Sequence, residues 1–152
     1  SLVRDENVIS AFPDAEQSAR FIDCIWFQNH KYMPAVMEVE HSTGVTPGLT
    51  RMKGLQDNIP SFNTRYVIVA PDDDRQKVVD EANRPQFLSL DTRYFSYSAV
   101  EELYYICTHR NLHGVNQDFL DCYMEPVVTR SNQIINYGTI NINDNSKNYR
   151  LE

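Results

Sequence analysis

Long apolar runs are missing from this chain of 152 residues. No stretch approaches the roughly 20 apolar residues of a membrane-spanning helix, and the opening residues carry no signal-peptide pattern. Cysteine is scarce. Cys24, Cys107 and Cys122 are odd in number, far apart and without any CxxC spacing, which points to reduced thiols and a cytoplasmic location rather than a disulfide framework. Positive charge is in deficit, with 14 Lys and Arg against 21 Asp and Glu and a net charge of -7. That balance argues against broad, nonspecific adhesion to nucleic acid, although an acidic centre neutralised by a metal ion is compatible with it. Internal repeats and Gly/Ser linkers are also absent, so a single domain over residues 1–152 is expected. A chain of this length can bury roughly 70% of its unfolded surface. The abrupt start at Ser1-Leu2 suggests a piece of a longer protein.

What is present is concentrated between Phe21 and Leu55, which reads as strand, turn, strand and helix. Three acidic residues there, Asp23, Glu38 and Glu40, interrupt runs that are otherwise apolar. Side chains alternate along a strand, so Glu38 and Glu40 point to one side, roughly 7 Å apart. Met37 and Val39 then point the opposite way, toward a core. Carboxylates rarely sit inside buried strands unless they are paired or bound to a metal.

In chain order, residues 1–16 are polar with weak patterning, compatible with a fraying helix or a leading strand, and Pro13-Asp14 suggests a turn. A strand is expected from about Gln17 to Phe27, then a polar turn at Gln28 to Lys31 and an antiparallel strand from Met33 to His41. Ser42, Thr43 and Thr46 are candidate helix caps, and Pro47 suits a first helical position. The helix should run to Asn58 with Leu49, Met52 and Leu55 facing the core. Tyr66 to Ala70 has the unbroken apolar pattern of a central strand covered on both faces. A helix opening at Pro71 to Asp74 and ending near Asn83 follows, with its acidic residues at the favourable end of the macrodipole. Arg93 to Tyr97 reads as a further strand and Ala99 to Asn111 as a helix capped by Ser98. The alternation implies α/β architecture: a mixed β-sheet flanked by helices. Phe119 to Val128 is apolar enough to pack somewhere, and Asn132 to Asn148 alternates like a hairpin or edge strand.

Three inward carboxylates on a hairpin suit a hard divalent cation such as Mg²⁺ or Mn²⁺, which takes oxygen ligands and often uses one or two protein carboxylates plus substrate phosphate. Such an ion activates water and stabilises charge on phosphoryl oxygens. Unneutralised, the acids would repel and raise one another's pKa. The competing reading is a solvated hairpin face with the acids turned outward, and alternation by itself leaves both open. Arg51 and Lys53 read as surface charges of the helix or as cations for the acidic centre. His41 follows Glu40 and so points to the other face, as a core or cap histidine. His109 and His113 have a zinc-compatible spacing but no second ligand pair, and Asp72 to Asp74 is better explained as a helix start.

The series Ile22-Asp23-Cys24-Ile25-Trp26 followed by Met37-Glu38-Val39-Glu40-His41-Ser42-Thr43 resembles the PD-(D/E)XK nucleases, which have the restriction-endonuclease-like fold. More narrowly, it is similar to bacterial restriction-endonuclease-related proteins with an I-D-x-I-W … E-V-E-H-[ST]-T signature. Gly48-Leu49-Thr50-Arg51-Met52 and the strand Tyr66 to Pro71 continue the resemblance, which covers about residues 17–112 and leaves 113–152 as an extension. The resemblance implies a metal-dependent DNA endonuclease of a restriction system, with Asp23 and Glu38 as Mg²⁺ ligands and a homodimer acting on DNA.

One position departs from the pattern. The usual Lys of the motif is Glu40 here. Either Glu40 takes part through a metal or as a base, or a cation arrives from elsewhere, with Arg51 and Lys53 as the candidates. The alternative is a catalytically impaired nuclease-fold module that binds DNA or protein.

Overall fold

The computed structural model describes residues 8–29, 31–42, 44–59 and 63–129. The expected hairpin or edge strand over Asn132 to Asn148 lies outside the described residues. A 3₁₀ turn at Val8–Ala11 leads into helix α1 (Pro13–Ala19). Strands β1 (Cys24–Gln28) and β2 (Tyr32–Val39) form the expected antiparallel hairpin, and helix α2 (Val45–Asn58) follows. Then come β3 (Arg65–Ala70), α3 (Arg75–Ala82), β4 (Arg93–Ser96), α4 (Tyr97–His109), α5 (Gln117–Asp121) and the short β5 (Glu125–Pro126).

The five strands lie in the order β1-β2-β3-β4-β5. β2, β3 and β4 run parallel, while β1 and β5 are antiparallel edges. Tyr66 to Ala70 occupies the middle of the sheet and is buried throughout, as its unbroken apolar run predicts. Side-chain alternation divides the core in two. Val36, Tyr66, Ile68, Ala70 and Tyr94 face α1, α2 and α3, where Ala15, Leu49, Met52, Leu55, Val78 and Ala82 meet them. Ala35, Met37, Val67, Val69 and Phe95 face α4 and α5, against Leu103, Leu120 and Met124. Helices thus cover both faces of a mixed sheet, the α/β arrangement read from the sequence.

Several boundaries differ from the sequence reading. Residues 17–19 are helical and β1 starts only at Cys24. Pro13 stands at the first turn of α1, where its missing N–H costs nothing, so it starts a helix instead of a turn. α2 begins two residues before Pro47, behind Gly44 at φ 95°, with no side-chain cap. α4 is capped by Ser96, whose hydroxyl accepts from the Ala99 N–H at 3.1 Å; Ser98 instead donates to Asp72. Val39, expected to point into the core, is 49% exposed because β2 ends there.

The packed body also exceeds residues 17–112. Ile9 and Ala15 are buried on one side, and Leu120, Met124 and Val127 join the core on the other. β5 pairs with β4, and Arg65 forks Asp121 (Nε to Oδ1 2.5 Å, Nη2 to Oδ2 2.7 Å), tying α5 to the start of β3.

Candidate active site

The site forms where the β1–β2 hairpin meets α2. Cys24 lies opposite Met37 and Ile25 opposite Val36, so one step further along the same register sets Asp23 across from Glu38. Asp23 has left the regular strand. Its Oδ2 accepts the Val39 N–H at 2.8 Å, in the position where another strand residue would have continued the ladder. The Asp23 carboxylate is close enough to Glu38 for its charge to act on Glu38's ionisation.

Glu38 shares the face of Val36, which packs beneath α2, and is 0% exposed. A solvated hairpin face is therefore excluded for this residue. Arg51, on the second turn of α2, reaches down and forks it: Nε donates to Oε1 at 2.9 Å and Nη2 to Oε2 at 2.6 Å. Arg51 Nη2 also lies 3.6 Å from Glu40 Oε1. Glu40 is 3% exposed, just past the end of β2; its N–H donates to the Val69 carbonyl at 2.8 Å and its carbonyl accepts from Tyr97 Oη at 3.3 Å. The ring of His41 stacks on Tyr97 with centroids 6.1 Å apart.

Burial pushes the Glu38 carboxyl up to about 7 even though the Arg51 fork pulls it down, and the nearby Asp23 charge adds to the rise. Arg51 is held well charged in return, chiefly by its bonds to Glu38. A buried carboxylate beside a second carboxylate, compensated by one guanidinium, is an unusual expense of desolvation for a stability device. Perturbed carboxyls of this type concentrate at functional sites.

The expected residues are only partly brought together. Asp23, Glu38, Glu40 and Arg51 assemble. Lys53 does not: two positions further along α2 it points elsewhere and pairs with Asp57 on its own helix. Three acids converging on one shared point is also not what forms, because the Arg51 guanidinium takes the place between Glu38 and Glu40. Among the described residues no group of three or more His, Cys, Asp or Glu side chains is placed to hold a metal ion. Two further residues, Tyr97 and Gly48, lie at the site without being assigned to it by the sequence. Tyr97 carries no local signal, since it opens α4 and its partner Glu40 lies just past β2, 57 residues earlier. Gly48, a glycine inside a helical pattern, does signal a close approach.

Asp23 and Glu38 are the two hard-oxygen donors here that could hold Mg²⁺ or Mn²⁺, ions that commonly use one or two protein carboxylates, and the Asp23 charge acts on Glu38. Each carboxylate oxygen can accept more than one partner, so the Arg51 fork does not exhaust Glu38.

Comparison with known proteins places these residues in a family. A type II restriction enzyme, NmeDI of Neisseria meningitidis serogroup C, is 61% identical over 129 residues. That alignment covers 83% of this chain but 37% of the relative, so the chain spans well under half of the relative's length. No solved structure gives a significant match. The family model that matches, over residues 1–127, is that of the type II restriction enzyme NmeDI C-terminal domain. The whole described α/β body from Val8 to Val127 falls inside that match, and on this ground the chain belongs to the NmeDI C-terminal domain family.

Proposed function

We propose that this chain is the DNA-cleaving domain of a type II restriction endonuclease, hydrolysing phosphodiester bonds with Mg²⁺ or Mn²⁺ in the manner of PD-(D/E)XK nucleases. The observation that carries the reading is the buried Glu38 carboxylate, set beside Asp23 and forked by Arg51. The likeness to a type II restriction enzyme supports restriction chemistry with DNA as the substrate. Asp23 and Glu38 would hold the ion, with Glu40 beside them. When bound, such an ion lowers the pKa of a coordinated water and neutralises charge developing on the phosphoryl oxygens.

The chain's own groups have distinct parts. Asp23 and Glu38 supply the negative site. Arg51, beside Glu38 and Glu40, would take the part of the motif lysine and supply the positive charge that Glu40 cannot. Its fork can pass from Glu38 to a phosphate oxygen, since the guanidinium geometry matches both. Glu40, held close to the same guanidinium, is placed to orient Arg51 or accept a proton from water. A homodimer would let two such sites act on opposite strands.

Supercoiled plasmid incubated with Mg²⁺ tests the reading. Nicking or linearisation by the wild-type chain, lost in Glu38→Gln, supports it. A wild type that cuts nothing, or a Glu38→Gln variant that cuts equally well, sinks it.

A second reading has one specific observation behind it. Arg51 already neutralises Glu38, so the pair could persist in a module that binds DNA or protein without cleaving. Calorimetry with Mn²⁺ separates the two, because only the nuclease requires binding that Asp23→Asn abolishes.

A further inference from the structure

Gly48 lies inside α2, at the fourth residue of the helix, where glycine is among the least favourable choices. Backbone freedom does not account for it. Among the described glycines only Gly44 has a positive φ, so an alanine at position 48 would meet no backbone strain. What position 48 lacks is room. A Cβ there would fall 2.5 Å from Glu40 Oε1, 3.0 Å from Glu38 Cβ and 3.3 Å from Glu38 Cγ. The other interior glycine of the helix, Gly54, is different: its Cβ would make only an ordinary 3.8 Å contact with Ser18 Oγ. α2 therefore presses closely on the sheet at one place, directly over the two carboxylates.

Glu38 Cβ is fixed to the backbone of β2 and cannot retreat from an added methyl, and the main chain of Glu40 is anchored. The Glu40 N–H is bonded to Val69, its carbonyl to Tyr97, and its side chain lies buried beside Arg51. We infer that Gly48 is a positioning residue: its missing side chain is the notch that seats the Glu40 carboxylate next to Glu38 and lets α2 come close enough for Arg51 to fork Glu38. The consequence for metal binding rests on the nuclease reading above; the seating of Glu40 does not.

The test compares Gly48→Ala, Glu40→Asp and the double variant in the 152-residue chain, by thermal melting and by calorimetric titration with Mn²⁺. Gly→Ala in an ordinary helix interior raises the melting temperature. Here the added methyl overpacks the notch, and a fall of about 3–10 °C is expected. Mn²⁺ affinity should fall about 10–100-fold, the usual effect of disturbing a group that orients a ligand. Aspartate is one methylene shorter and withdraws from the added methyl. The double variant should therefore melt above Gly48→Ala and recover part of its Mn²⁺ affinity.

A Gly48→Ala variant that melts at or above wild type overturns the proposal. So does a double variant whose losses equal the sum of the singles, or a destabilised Gly48→Ala that binds Mn²⁺ as tightly as a metal-binding wild type. If Gly48→Ala does not fold, recovery of folded protein in the double variant is the supporting result. Wild type that binds no Mn²⁺ defeats the nuclease reading on its own, and the melting pattern then decides the notch.

Discussion

Arg51 and Glu38 face each other through two parallel hydrogen bonds, of 2.9 and 2.6 Å, between the second turn of α2 and the end of β2. The carboxylate is fully buried, whereas the guanidinium is 34% exposed. The pair is thus asymmetric. Glu38 depends on Arg51 for compensation, while Arg51 has water as an alternative partner.

Removing Arg51 should consequently leave a stranded acid. Breaking a buried pair costs about 3–5 kcal/mol, and the exposure of Arg51 reduces this to about 2–3 kcal/mol for Arg51→Ala. Arg51→Lys keeps the charge but not the fork and should fall between. Millimolar Mg²⁺ should restore more stability to Arg51→Ala than it adds to wild type, because the ion then has Glu38 to itself. Urea denaturation with and without Mg²⁺ measures both; equal shifts in the two proteins would count against a metal at Glu38.

The pH dependence has a definite sign. Burial raises Glu38 from 4.5 to about 7, so between those values the folded chain keeps a proton that the unfolded chain has released. The stability this contributes is complete below the lower value and is lost as pH rises through the higher one. A divalent ion competes with that proton, so Mn²⁺ affinity should climb about tenfold per pH unit below neutrality and level off above it. Calorimetric titrations across this range read the slope. A flat profile would remove Glu38 from the ligand set.

Asp23 has two roles that substitution can separate. Asparagine still offers an oxygen to the Val39 N–H, so Asp23→Asn should fold with stability within about 1 kcal/mol of wild type. It loses the charge, and with it Mg²⁺-dependent plasmid nicking. Retained nicking in a folded Asp23→Asn variant would contradict the assignment.

On the opposite face, Arg65 holds Asp121 well below the usual carboxylate range, with Arg93 3.2 Å away as a second cation. A depressed carboxyl contributes stability that is present above its unfolded pKa and lost as pH falls through the folded one. Asp121→Asn should cost about 1–2 kcal/mol near neutral pH, less in acid, and leave nicking unchanged. Chemical denaturation at two pH values checks the first part and the plasmid assay the second.

Legibility in the sequence followed the range of the forces involved. The stripe Leu49, Met52 and Leu55 and the run Tyr66 to Ala70 were readable because burial imposes a period on neighbouring residues, and all of them are buried. The start of α2 is not fixed by local pattern, because Pro47 suits the first turn generally and the helix begins earlier behind a glycine. Two serines two residues apart can each cap α4 by position, and the contact of Ser98 with Asp72, distant in the chain, leaves Ser96 as the cap. The C-terminal elements from Gln117 to Pro126 were illegible. They are short, and their hold on the body comes from contacts distant in the chain, such as β5 on β4 and Arg65 on Asp121, 56 residues apart.

The sequence by itself determined that acids interrupt a β-hairpin and that Glu38 and Glu40 share a face, since strand alternation is a local property of the backbone. It also placed Arg51 and Lys53 on the following helix without distinguishing them. Only the tertiary structure decided that Arg51 and not Lys53 reaches the acids, and that it lies between Glu38 and Glu40 where a shared ion had been expected. The physical reason is that ionisation and pairing depend on how closely α2 settles onto the sheet. That approach is set at Gly48 by contacts across the fold, which no local pattern contains.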